Sequence, residues 1–413
     1  MKFVELNEIE YTEFWNNHPL KTFLSAKEIG DLRQKSGWKV YFVGVKEKNI
    51  IIGAAMLISH IRKMSKCDFY SPRGFLLDFK NVDLLNFFID NVKEYVKAKN
   101  GYVLRIDPYI INKQRDIDGN EVKNGINNIS ITNYLEKKGF KKVKSINTEQ
   151  AVWMFSLDIE NKSEEEILKN MKSNTRNIIK NTEEKGISVR ELMYDELDKF
   201  QDVLIKTSQR KQFSIRNISY YKNMYQLFHD KGEVKFFVTE LNISEYLKIL
   251  EQEKLEKHNK LMNLSDALAN NGKKEALKEN LISIENKILD LKSIANKEKK
   301  NIIILSSSMF ILIKPEIIYL SSGNYEEYMH FNSQYLQQWE MIKYGIKNHF
   351  KKYNFYMIPA NINNHPKDYG VYKFKKGFNG YVEELIGEFE LPITWHYQLF
   401  NLIRKFKKSN HHF

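Results

Sequence analysis

Residues 317–358 read IIYLSSGNYEEYMHFNSQYLQQWEMIKYGIKNHFKKYNFYMI, and this stretch decides the fold class. Its β-branched and aromatic opening, 317–321, predicts a strand. From 333 to 351 the apolar residues Leu336, Trp339, Met341, Ile342 and Ile346 recur at helical spacing and predict a helix. Residues 353–358 return to strand chemistry and stop at Pro359. Further on, residues 365–389 read HPKDYGVYKFKKGFNGYVEELIGEF. Gly370 and Gly377 bracket Lys373, Lys375 and Lys376 there, so a basic loop is expected. A helix between two strands, with a basic loop beyond, is an α/β arrangement with room for a ligand at its edge.

The same alternation extends upstream. In a first unit, 1–155, helices are expected at 8–17 and 25–36, the second with Ser25 as its cap. A hairpin of strands at 39–45 and 50–60 follows. Leu84, Leu85, Phe88, Ile89, Val92 and Val96 mark one side of a helix over 82–97. A strand at 101–106 ends at Asp107-Pro108, a short helix covers 133–138, and a strand begins at 151. A second unit, 156–242 and 300–413, repeats the style. KKGF occurs in both units, at 137–140 and 375–378, after LRIDP and FYMIP respectively, a hint of internal duplication. Residues 243–299 differ. They lack proline, and Leu277, Leu281, Ile284, Ile288 and Leu291 keep a heptad seam opposite Leu261, Leu264 and Leu268. With Asn270-Asn271-Gly272 as the turn, this segment reads as an inserted antiparallel helical arm.

With 413 residues the chain exceeds one ordinary core, and 42% hydrophobic content rules out wholesale disorder. The 65 Lys and Arg against 52 Asp and Glu leave a formal charge of +13, which favours a polyanionic partner such as RNA, a phosphorylated substrate or an anionic membrane face. A single cysteine, Cys67, excludes an internal disulfide framework, fits a reducing compartment and reads as a lone buried or surface thiol rather than a nucleophile. No signal-peptide pattern or spanning run is present, so a cytoplasmic protein, at most peripheral to the membrane, is expected. Walker, G-x-G-x-x-G and G-x-S-x-G motifs are missing, as is any zinc spacing. Asp107 ends a strand before Pro108, at the carboxyl edge where α/β sheets hold ligands, and an Asx-type turn explains it as well.

Four motifs carry a resemblance. SSGN at 321–324, HF-x-S-x-Y-x-x-QWEMI-x-Y at 330–344, YNFY at 353–356 and GV-x-KFKKG at 370–377 closely resemble the signature of the Fem (FemABX) peptidyltransferases. The resemblance covers nearly the whole chain. It implies two GNAT-like acyltransferase domains, α/β in class, with a coiled-coil arm inserted in the second. It also implies tRNA-dependent, non-ribosomal addition of glycine or serine to the stem or interpeptide bridge of lipid-linked peptidoglycan precursor. Aminoacyl-tRNA, glycyl or seryl, would be the co-substrate, with no metal and no acyl-CoA. Lipid-linked muropeptide at the inner membrane face would be the acceptor, and related transferases would be partners in homo- or hetero-oligomers. Some members place serine in the bridge and so protect their host from a glycyl-glycine endopeptidase of the lysostaphin type.

The site residues follow from the same resemblance. Arg105-Ile106-Asp107-Pro108 matches a motif implicated in catalysis, making Asp107 the acceptor of the attacking amine's proton. Lys375 matches a lysine near the reacting groups, with Lys376 as its alternative. Lys35, before Ser36-Gly37-Trp38, and Arg216, four before Tyr220 in RKQFSIRNISYY, match phosphate-binding positions; Tyr109 and Tyr220 would line that cleft. Basic clusters at 169–185, 210–216 and 404–408 are candidates for tRNA contact. A reading of a different class is a catalytically idle RNA- or membrane-binding scaffold.

Overall fold

The computed structural model describes residues 1–144, 148, 150–264, 270–360 and 366–409, without the side chains of 63, 366–368 and 404–409. In chain order it begins with β1 (Lys2–Glu5), α1 (Glu8–Asn17), α2 (Lys27–Lys35), β2 (Lys39–Glu47), β3 (Ile50–Ile61) and β4 (Cys67–Ser71). Next come α3 (Val82–Ala98), β5 (Gly101–Ile106), β6 (Ile111–Gln114), α4 (Ile129–Lys137), β7 (Lys141–Lys142) and β8 (Trp153–Asp158). Then follow α5 (Glu164–Asn170), α6 (Ser173–Glu183), β9 (Ile187–Glu191), α7 (Leu197–Lys211), α8 (Ile218–Phe228) and β10 (Val234–Asn242). Helices α9 (Ile243–Met262) and α10 (Asn271–Glu298) precede β11 (Ile302–Ile313), β12 (Glu316–Asn324), α11 (Ser333–Lys347) and β13 (Lys352–Met357). The chain closes with α12 (Pro366–Lys376), β14 (Tyr381–Leu385), β15 (Phe389–Pro392) and α13 (His396–Ser409).

Two compact units result. The first holds Met1–Asp158, Ile313–Ile318 and the described residues from Asn354 on; the second holds Ile159–Leu312 and Tyr319–Tyr353. The sequence reading gave all of 300–413 to the second unit, whereas the last stretch groups with the N-terminal residues. The cause is long-range pairing. Strand β15 runs antiparallel to β5, with Phe389 opposite Ile106, and β14 pairs with both β6 and β8.

In the first unit a seven-stranded sheet runs β1-β2-β3-β4-β5-β15-β7. Helix α3 starts where the Asn81 side chain accepts from the Leu84 N–H, and it buries the six apolar residues that the spacing picked out. They pack with Val43, Leu57, Phe69 and Leu104 of the sheet, each such side chain stabilising by about 2 kcal/mol gross. Ser25 is not the cap of α2. It lies in a 3-10 turn before it, its hydroxyl accepting from Trp15 Nε1 at 3.0 Å, and Ala26 fills the cap position. Both KKGF copies close a helix and bury their phenylalanines, Phe140 and Phe378, and both fall in the first unit.

In the second unit β10 pairs with β9 and β11, all antiparallel. Helices α9 and α10 pack together as an arm whose inner end buries Leu250, Ile284, Ile288, Leu291 and Ile294, while Leu277 and Leu281 are half-buried. Asn270-Asn271-Gly272 is not the turn: it opens α10. Leu268 lies outside the described residues.

Candidate active site

Strands β4 and β5 are parallel, and their last residues, Ser71 and Ile106, are partners. The chain therefore delivers Arg73 and Asp107 to the same carboxyl edge of the sheet, the edge where α/β folds hold ligands. Pro108 biases Asp107 toward extended backbone. Asp107 is 2% exposed. Its Oδ1 accepts the Arg73 backbone N–H at 2.7 Å, and Arg73 Nη1 stands 3.5 Å from Oδ2. That amide is presented because Arg73 adopts φ +52°, in the left-handed region. The guanidinium is itself buried, donates from Nη2 to the Ala151 carbonyl at 2.8 Å and lies over the Tyr109 ring at 5.6 Å.

Asp107 Oδ2 is ion-paired but accepts no hydrogen bond. The buried Tyr70 hydroxyl lies beside this carboxyl without reaching hydrogen-bond geometry. Burial pushes the Asp107 carboxyl up to about 6, against the opposing pull of Arg73. At neutral pH it is a carboxylate with raised basicity and one oxygen unsatisfied, which is what a proton acceptor requires. Nothing near Asp107 in sequence announces Arg73, which lies between Pro72 and Gly74, 34 residues earlier.

Lys375 is also enclosed. The expected basic loop is instead helix α12, and Lys375 sits in its last turn, 5% exposed. The loop reading failed because Gly370 is tolerated inside the helix while Tyr372 and Phe378 are buried anchors. Lys375 Nζ donates to the carbonyl of Met357 at 2.7 Å and of Tyr356 at 3.5 Å. Tyr356 in turn gives its N–H to Asn354 Oδ1 at 2.7 Å. The Asn354 amide reaches the Tyr109 hydroxyl and Glu316 Oε2, both at 3.4 Å. Asp107 and Lys375 thus connect through Arg73, Tyr109 and the end of β13, all within the first unit. Lys376 is different: it pairs with Asp118 and lies over the Tyr372 ring at 5.6 Å.

Tyr109, expected to line a phosphate cleft, gives its hydroxyl to the buried Glu316 carboxylate at 3.0 and 3.1 Å. Its ring rather than its hydroxyl serves Arg73. Lys35 is exposed at the end of α2 in the first unit. Arg216 is exposed in the second, its guanidinium 5.6 Å over the half-buried Tyr220 ring, just ahead of α8, where Asn217 caps. In the 169–185 cluster Arg176 Nη1 donates to the Lys169 and Met171 carbonyls at 2.8 and 2.5 Å. The side chains of 404–408 lie outside the described residues. Cys67 is buried, and burial pushes its thiol up. Among the described residues no helix is long and apolar enough to cross a membrane, and no cluster of three His, Cys, Asp or Glu could hold a metal.

Known proteins place this geometry. The FemAB family model matches residues 6–405. Aminoacyltransferase FemA of Staphylococcus epidermidis is 31% identical over 99% of this chain and 100% of its own length. Aminoacyltransferase FemA of Staphylococcus aureus is 30% identical over 95% of this chain and 96% of its own. The crystal structure of FemX superposes with a TM-score of 0.74 at 23% identity, covering 98% of this chain and all of that one. A tandem GNAT protein from the clavulanic acid pathway gives a TM-score of 0.52 at 9% identity over 95% of this chain and 98% of its own, which supports the acetyltransferase-like fold. With a family model spanning almost every residue and relatives aligned end to end, this chain belongs to the FemAB family and is an aminoacyltransferase.

Proposed function

We propose that this aminoacyltransferase adds glycine or serine from aminoacyl-tRNA to the stem or bridge amine of lipid-linked peptidoglycan precursor. The observation that carries the reading is Asp107: a buried carboxylate with one oxygen lacking a hydrogen bond, oriented by Arg73 at the carboxyl end of β5. A free amine is mostly protonated at pH 7 and must lose a proton to attack. In the proposed step Asp107 accepts that proton and the amine nitrogen bonds to the ester carbonyl carbon. The ester C–O bond then breaks, the leaving oxygen takes the second proton given up by the nitrogen and departs as the tRNA hydroxyl, and Asp107 releases its proton to water. Lys375, held by two carbonyls, supplies positive charge for the developing oxyanion. Lys35 in the first unit and, separately, Arg216 in the second are each assigned to phosphate contact with the acceptor, and Tyr220 supports Arg216. The overall charge of +13 suits both polyanionic substrates and a peripheral position on an anionic membrane face. Serine transfer would give the product resistance to a glycyl-glycine endopeptidase.

The test supplies lipid-linked muropeptide with glycyl-tRNA or seryl-tRNA and reads the product by mass spectrometry. One added glycine or serine per acceptor amine is expected. Binding of both substrates without transfer would contradict the reading and leave a scaffold of the same fold.

A further inference from the structure

The second unit carries a groove that none of the residues assigned to the transfer step or to the acceptor's phosphates lines. It encloses about 910 Å³ at the inner end of the helical arm, between the end of α6, α9, α10 and the 3-10 turn Glu326–Phe331. That volume is in the range of small-molecule sites. Its floor is apolar, formed by the buried Tyr246, Leu250, Leu291 and Phe331. Lys185 lines it half-buried, directly after α6, and makes no ion pair or side-chain hydrogen bond with any described residue. The neighbouring charge that acts on Lys185 is Lys287 of α10, another cation, and burial together with Lys287 pushes the Lys185 ammonium down. Two cations lining one apolar-floored groove repel each other, and an anion bound between them relieves that repulsion.

We propose that this groove binds a compact anion with an apolar body, such as a small carboxylate or phosphate monoester, its charge held between Lys185 and Lys287. Glu184, Glu253, Glu256 and Asp290 stand on the same groove, and Asp290 already faces His330 at 3.4 Å. Those four carboxylates oppose a polyanion such as an RNA backbone but tolerate one localised negative group at the lysines. Tyr246, Leu250, Leu291 and Phe331 then accept the apolar part. The inference is independent of the transfer chemistry in the first unit.

The experiment is competitive reductive methylation of the intact protein with formaldehyde and cyanoborohydride, read peptide by peptide in mass spectra. The probes are phenyl phosphate, benzoate and uncharged benzyl alcohol. Either anion slows methylation of Lys185 at least fivefold and saturably, leaves Lys169 unchanged, and loses its effect in Lys287→Ala; Lys287 is exposed, so that variant folds. The stronger of the two anions identifies phosphate or carboxylate as the group recognised. Equal protection by benzyl alcohol, no saturable protection, protection that survives Lys287→Ala, or protection by an RNA stem-loop alone would each overturn the proposal.

Discussion

Asp107 in the first unit and Lys185 in the second are both titratable groups taken out of water, and the fold treats them oppositely. Asp107 has its counter-charge built in: Arg73 brings an amide hydrogen bond and a guanidinium from 34 residues away in sequence. Lys185 feels a like charge, Lys287, and makes no ion pair with a described residue, although carboxylates line the same groove. A group whose partner is part of the chain is held ready for chemistry. One whose partner is missing is held ready for a ligand. Burial separates the cations as well: Lys375 is enclosed and donates to carbonyls, whereas Lys35 and Arg216 are exposed.

Breaking the Asp107 end has the largest effect. Asp107→Asn keeps the size but removes the basic oxygen, and transfer falls about 10²–10⁴-fold in single-turnover assays with muropeptide affinity retained. Arg73→Met leaves a buried carboxylate without its cation. It lowers unfolding free energy by about 3–5 kcal/mol in urea titration, and it moves the Asp107 titration further upward, since Arg73 was opposing that shift. Lys375→Met slows transfer by about 10²–10³-fold. Lys376→Met loses a partly exposed ion pair and a contact with the Tyr372 ring, and transfer stays within about twofold; a reversal of that order would move the oxyanion role to Lys376. Lys35→Ala with Arg216→Ala weakens acceptor binding by about ten- to a hundredfold in titration calorimetry, with turnover at saturation unchanged.

What could be seen in sequence divides along physical lines. The α3 face and the limits of β5 were legible because local periodicity and the Asp-Pro stop determine them. The place of Asp107 at a strand end was legible because Pro108 follows it, whereas its role rests on the resemblance of Arg105-Ile106-Asp107-Pro108 to the family motif. Arg73 was not, because its role depends on the parallel pairing of β4 with β5 and on one left-handed backbone angle, neither of which leaves a local pattern. The same holds for the return of β15 to β5, which moved the last stretch of the chain into the first unit. Helix α12 was misread for a different reason: two glycines outweighed buried Tyr372 and Phe378, whose packing is what holds Lys375 inward.

The central claim is that Asp107, poised by burial against Arg73, takes the proton from the attacking amine. The most direct test is the pH profile of kcat/KM for transfer from pH 4.5 to 8, in the wild-type enzyme and in Asp107→Asn. Because the folded carboxyl titrates near 6, the active carboxylate is lost as pH falls through that value. The wild-type rate therefore drops about tenfold per unit below it, and Asp107→Asn lacks this limb. A limb near 6 that persists in Asp107→Asn, or a variant as fast as the wild type at pH 7, would contradict the account.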